Sequence, residues 1–126
     1  MQNSINEYIS GLLATLSATP LARQPKIEFD DREEVWFIRA DVRFMGNSLL
    51  HFRELWIWQD DKPFKKAYTY HCPEDETIIF RYDNAPHFPH LPTALHHKHV
   101  GENDVIAADA PNLLSVLKEI EGTIKA

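Results

Sequence analysis

From Tyr82 to His99 the chain reads YDNAPHFPHLPTALHHKH, and five of its seven histidines lie in that stretch. Imidazole titrates near neutral pH, so such a cluster suits general acid–base chemistry or the binding of a divalent cation. Pro86, Pro89 and Pro92 recur at every third position. Each proline fixes φ and removes a backbone donor, which bars a helix and favours polyproline II, where His87 and His90 would share an edge. His96, His97 and His99 follow, with Lys98 among them.

For a phosphodiester substrate, histidine would move protons while arginine or lysine stabilised the charge developing on phosphate. The candidate catalytic residues are His96, His97, His99, Lys98, Arg81, Asp83, Arg53, Glu54 and His71. For a metal, the candidate ligands are His87, His90, His96 and His99, with Asp83 as a carboxylate supplement, although no HExxH pattern is present. No cofactor is expected, and a divalent metal is the open alternative. The structural reading of the same histidines is that they cap turns, bond backbone and pack against a sheet. Asp83 and Asn84, standing before Ala-Pro, equally fit an Asx turn that starts a loop. Cys72 is expected to be a structural thiol, and Lys62, Lys65 and Lys66 to protect a strand edge.

The elements that position these residues follow from the spacing of apolar side chains. Residues 3–17 are expected to form a helix capped by Asn3 or Ser4, with Ile5, Tyr8, Ile9, Leu12, Leu13 and Leu16 on one face. Five strands are expected near Lys26–Phe29, Glu34–Phe44, Ser48–Trp58, Phe64–Cys72 and Thr77–Tyr82. The turns between them fall at Asp30-Asp31, Gly46-Asn47, Asp60-Asp61-Lys62-Pro63 and Pro73-Glu74-Asp75-Glu76. A long loop, residues 83–109, leads to a closing helix over Pro111–Ile124, capped by Asp109, with Leu113, Leu114, Val116, Leu117 and Ile120 apolar.

The expected fold is α+β: an antiparallel meander with both helices on one face and the other face open. Alternation in the second strand sends Trp36, Ile38, Ala40, Val42 and Phe44 to the helices and Arg39, Asp41 and Arg43 to the open side. Extended to later strands, the open face would carry His51, Arg53, His71, Arg81 and Asp83. Strand register decides whether they meet, and hairpin length alone does not fix it. Glu54 shares the parity of Phe52, Trp56 and Trp58, so it requires a cation from a neighbouring strand or a bulge that turns it outward.

With 126 residues, 44% of them hydrophobic, the chain is read as one domain, residues 1–126, with enough apolar surface for a core of its own. One cysteine excludes an intrachain disulfide and a cysteine-based zinc site. The N-terminal stretch has no basic lead, and no apolar run approaches the roughly 18–20 residues of a membrane span, so a cytoplasmic, unanchored protein is expected. The net charge of −6 argues against nucleic-acid binding through an overall positive field and leaves room for a local basic patch.

The blocks HFREL, YTYH, IIFRYDNAPH and HHKHVG, followed by LLSVLKEIE, resemble the TumE family, toxins of bacterial and archaeal type II toxin–antitoxin modules. The resemblance spans roughly residues 30–122. It implies growth inhibition and an antitoxin partner with a helix-turn-helix DNA-binding domain. The residues within the shared blocks are Arg53, Glu54, Tyr70, His71, Arg81, Asp83, Asn84, His87, His96, His97, Lys98 and His99; Phe88 stands where a more polar residue is expected. Ribonuclease-like, metal-independent chemistry on RNA is read from the residue types and not from the family. The alternatives are a noncatalytic protein-binding domain and a metal-dependent nuclease or hydrolase.

Overall fold

The computed structural model describes residues 2–20, 22–44, 48–74, 77–87, 90–93, 95–101 and 104–125. Seven strands follow one another in a single antiparallel sheet, each paired with its neighbours in sequence. They are β1 (Ala22–Asp31), β2 (Val35–Phe44), β3 (Leu49–Gln59), β4 (Lys62–Glu74), β5 (Thr77–Asp83), β6 (His97–Val100) and β7 (Asp104–Ala107), between helices α1 (Gln2–Ser17) and α2 (Leu113–Lys125). The architecture is the expected α+β, with seven strands instead of five. The two extra strands come out of the supposed loop, because the polar run His97-Lys98-His99 gives no hydropathy contrast by which its alternation shows in sequence.

Both helices lay an apolar stripe on the same face of the sheet. Ile5, Ile9, Leu12 and Leu16 of α1 and Leu113, Val116, Leu117 and Ile120 of α2 are buried against Trp36, Ile38, Phe52, Tyr70, Cys72 and Phe80. Each such side chain contributes about 1.5–3 kcal/mol by leaving water. Leu13 and Leu114, expected on these stripes, lie beside them and are exposed. Helix α1 starts at Gln2, ahead of its expected cap, and the side chains of Asn3 and Ser4 lie outside the described residues. Helix α2 is capped by Asn112 and not by Asp109: the Asn112 Oδ1 accepts the Ser115 N–H at 2.9 Å, an N-cap bond.

Register, the open question of the sequence, is settled by turns and bulges acting together. Asp60 and Asp61 both have positive φ, as a two-residue hairpin turn of type I′ requires. That turn pairs Trp56 with Lys65, odd against even. One extra residue at Lys66 then shifts the pairing, so that Glu54 faces Tyr68 and Phe52 faces Tyr70. A second bulge, next to Pro73, brings Cys72 opposite Phe80 and His71 opposite Arg81. In β1 the bulge falls at Gln24 and Pro25, and the proline is tolerated because β1 is an edge strand. The expected turn at Gly46-Asn47 and the tip at Asp75-Glu76 lie outside the described residues.

The connection from β5 to β6 is shorter than the loop expected from sequence. The Thr93 hydroxyl donates to the His96 carbonyl at 2.7 Å and accepts the Ala108 N–H at 3.1 Å, tying the connection to the end of β7. The His87 N–H donates to the Ala85 carbonyl at 2.8 Å. Polyproline II has no internal hydrogen bonds, so this turn replaces the expected regular arm at its start. Phe88 and Pro89 lie outside the described residues.

Candidate active site

On the face away from the helices, the register sets side chains in rows across the strands. One row runs Arg39, Arg53, Thr69, Asp83, His97; the next runs Asp41, His51, His71, Arg81, His99. The two rows meet most closely at β5 and β6. There Asp83 Oδ1 lies 2.7 Å from His97 Nε2, and Oδ2 accepts the Arg81 Nε–H at 3.1 Å. Asp83 Oδ1 also accepts the Ala85 N–H at 3.1 Å, so the Asx turn and the cluster are one arrangement.

His97 is buried, 1% exposed, and its Nδ1 lies 2.9 Å from the Leu95 carbonyl. Both ring nitrogens therefore face acceptors. His99 differs. Its Nε2 receives the Arg81 guanidinium at 3.0 Å, so that nitrogen is the acceptor and the ring is neutral. Burial, and then the Arg81 charge, lower the His99 pKa below 6.5, against an opposing pull from Asp83. The result is an uncharged imidazole whose lone pair is held by a cation.

Along the second row, His51 Nδ1 bonds Asp41 Oδ1, and the His51 and His71 rings stand 6.5 Å apart. Burial, then Arg81 and His51, also lower the His71 pKa, and its Nε2 is buried without a hydrogen-bond partner among the described residues.

Beside the cluster, a groove of about 1150 Å³ runs over the sheet from β5 to β1, where Glu28, Phe29 and Asp30 line it. Its cationic side chains are Arg39, Arg53, Lys66 and Arg81, and Phe37, Leu55 and Leu95 give it apolar ground. Arg39 is paired with Glu28 at 2.7 Å, and that guanidinium lowers the Glu28 pKa. Arg53 and Lys66 are exposed cations on the same groove. Glu28, Asp30, Glu54 and Asp83 line the same groove, so its cations and carboxylates balance, and the exposed Arg53 and Lys66 are its local points of positive charge.

Asp83, His97 and His99 each offer a ligand atom, and these lie within 4.8 Å of one another, the composition of a two-histidine, one-carboxylate metal site. The Arg81 guanidinium already bonds Asp83 Oδ2 and His99 Nε2, atoms of two of the three donors, so the set fits a metal only if Arg81 moves away. Of the four ligands expected from sequence, only His99 joins this group.

A family model for the toxin TumE matches residues 12–124, nearly the whole chain. The chain belongs to the TumE toxin family. No curated protein and no solved structure matches it. TumE membership implies a toxin of a toxin–antitoxin module, with an antitoxin as its partner. Among the described residues, no helix is long and apolar enough to cross a membrane.

The positions shared with the TumE blocks separate onto two faces. Asp83, Arg81, His97, His99, His71 and Arg53 are on the open face. Lys98 points to the other side, opposite Tyr82, and donates to Glu119 of α2 at 2.8 Å. Burial works against its charge, and the bonds to Glu119 and Tyr82 outweigh that and raise its pKa. His96 stacks on Tyr68 and its Nδ1 lies 2.8 Å from the Tyr68 hydroxyl, apart from the Asp83 cluster. Burial, then Asp83 and Tyr82, push the Tyr68 pKa up to about 12, so its hydroxyl keeps its proton beside His96. Asn84 accepts the Tyr68 N–H at 3.1 Å and donates to the Lys66 carbonyl at 2.9 Å, bracing the bulge. His87 and His90 are exposed and stand outside the cluster.

Glu54 is on the helix side, as its parity requires, and is sealed. The Tyr8 hydroxyl donates to Oε1 at 2.6 Å, Trp56 Nε1 donates to Oε1 at 3.0 Å, and the Tyr70 hydroxyl donates to Oε2. Lys65 Nζ stands 3.7 Å from Oε2, brought to this face by the bulge at Lys66. The residue that sequence reasoning passed over is Phe37; Lys66 was expected only to protect a strand edge, and Asp41 and His51 were placed on the open face without being paired. Phe37 carried a readable signal: an aromatic on the parity of Arg39 and Asp41, among otherwise polar positions.

Proposed function

We propose that this toxin arrests growth by cleaving RNA without a resident metal, at the site formed by Arg81, Asp83, His97 and His99. The observation that carries the reading is a neutral His99 held against an arginine at the head of a groove that also bears the exposed cations Arg53 and Lys66. Arg81 is positioned to take a phosphate oxygen, which withdraws it from His99 Nε2 and frees that lone pair. His99 then accepts the proton of a ribose 2′-hydroxyl; the O2′–P bond forms and the P–O5′ bond breaks. The imidazolium returns its proton through water to the departing O5′, leaving a 2′,3′-cyclic phosphate and a 5′-hydroxyl. Positioned general bases of this kind contribute about 10²- to 10⁴-fold. Asp83 and the buried His97 are positioning residues: they fix Arg81 and do not touch substrate. Cytoplasmic action as a single folding unit, and an antitoxin of helix-turn-helix type, belong to the same reading.

The test is growth arrest on induced expression. His99→Ala and Arg81→Ala are expected to abolish it, whereas His96→Ala and Lys98→Ala retain it; arrest by a folded His99→Ala protein would overturn the reading. A metal-dependent nuclease is the second reading, favoured by the Asp83, His97, His99 donor set. It predicts stoichiometric divalent metal in untagged protein and activity lost to a chelator.

A further inference from the structure

The groove beside the cluster has a composition that phosphate binding alone does not require. Phe37 lies on the open face in register with Leu55 and Ala67, and its ring is 45% exposed. An aromatic left that far in water loses much of the burial that favours an apolar side chain in a core. Two residues along the same strand is Arg39, and across from Arg39 is Arg53. The Arg32 guanidinium stands 5.6 Å from the Phe37 centroid; its side chain is 70% exposed. Arg32 and Arg39 are paired with Asp30 and Glu28, and the exposed ring with the exposed cations Arg53 and Lys66 supplies the parts with which proteins hold unstacked bases and their backbone.

Spacing separates the duties. Arg53 is two strands from Asp83, about 10 Å at the 4.7–4.9 Å separation of neighbouring strands, and Phe37 lies on the strand beyond. That spacing leaves room for a second phosphate at Arg53 beside the one at Arg81. We propose that the groove binds single-stranded RNA laid across the sheet. Phe37 stacks a base, Arg53 and Lys66 hold the backbone, and Arg81 takes the scissile phosphate. A duplex offers no free base face to Phe37, so it is excluded as a tight ligand. This assignment rests on the ribonuclease reading for its scissile phosphate, and its binding subsite stands apart from the chemistry.

The experiment measures binding of a fluorescent single-stranded RNA, and of the same sequence annealed to its complement, to the full chain carrying His99→Ala so that no cleavage intervenes. Single-stranded RNA is expected to bind at least ten-fold more tightly than the duplex. Phe37→Ala is expected to weaken single-strand binding by about ten-fold or more; Phe37→Tyr, which keeps a ring, restores it. Arg53→Ala is expected to weaken both and flatten the salt dependence. Equal affinity for the duplex, no effect of Phe37→Ala, or no RNA binding at all would overturn the assignment. Binding as described by a protein whose unsubstituted form cleaves no RNA would sink the catalytic reading and leave the groove assignment standing.

Discussion

Two buried carboxylates organise this molecule, and they differ in what their partners can reach. Glu54 has a side chain 1% exposed, enclosed by two phenols, an indole and Lys65 between the helices and the sheet. Burial, and then the Glu54 charge, raise the pKa of Tyr8 and Tyr70, so both remain donors at any physiological pH. Burial also lowers the Lys65 pKa, with Glu54 opposing. Asp83 has a side chain 10% exposed, but its partners Arg81 and His99 are 36% and 19% exposed and look onto the groove. Glu54 spends every bond inward and fastens α1 to the sheet through Tyr8. Asp83 holds side chains whose far ends meet solvent. The lesson is that burial and charge mark both, while access of the partners separates a fastening from a site.

The sharpest way to break the comparison is to remove each carboxylate. Glu54→Ala strands Lys65 and two phenols, and loss of one partner of a buried pair costs about 3–5 kcal/mol; urea unfolding is expected to show that loss, with Glu54→Gln milder. Asp83→Asn is expected to cost less stability and to lower RNA cleavage by at least ten-fold, since Arg81 loses its anchor. An Asp83→Asn protein of full activity would show that its cluster is only another fastening.

The pH dependence sharpens the same contrast. In the proposed reaction His99 acts when neutral and its pKa lies below 6.5, so the acid limb of kcat/KM is expected to have its midpoint below 6.5. Arg81→Gln removes a cause of the shift and is expected to move that acid limb upward toward 6.5, whatever it does to the rate. Stability follows the same sign. His71 and His99 take up protons more readily in the unfolded chain, so their contribution is complete above pH 6.5 and is lost as pH falls through the lowered folded values. Thermal melts between pH 7.5 and about 5 check it.

The smallest expected effect is that of Lys98→Ala. Its ion pair with Glu119 is partly solvated, and such pairs contribute about 0–1 kcal/mol. A slight drop in melting temperature with cleavage unchanged is expected, and a large loss of cleavage would return Lys98 to the site.

Much of this was legible before the structure. Alternation in β2 named the open face, and Arg53, His71, Arg81 and Asp83 fell on it because strand parity is a local property. What parity could not supply was the register between strands, which rests on single-residue bulges at Lys66 and beside Pro73 that no local pattern announces. The HHKH block was singled out as dense in titratable groups and read as one unit. As strand β6 it divides, sending His97 and His99 to one face and Lys98 to the other, while His96 stays before the strand. Glu54 was seen to need a partner; that the partner is Lys65 depended on the bulge, and that Tyr8 joins it depended on the docking of α1.

The most direct measurement is single-turnover cleavage of a labelled single-stranded RNA by the purified unsubstituted protein, by His99→Ala and by His96→Ala, without added metal and with a chelator present. The account predicts cleavage to a 2′,3′-cyclic phosphate end by the unsubstituted protein and His96→Ala, and a rate lower by about 10²-fold or more for His99→Ala. Equal rates for His99→Ala and the unsubstituted protein, or cleavage that the chelator abolishes, would contradict it.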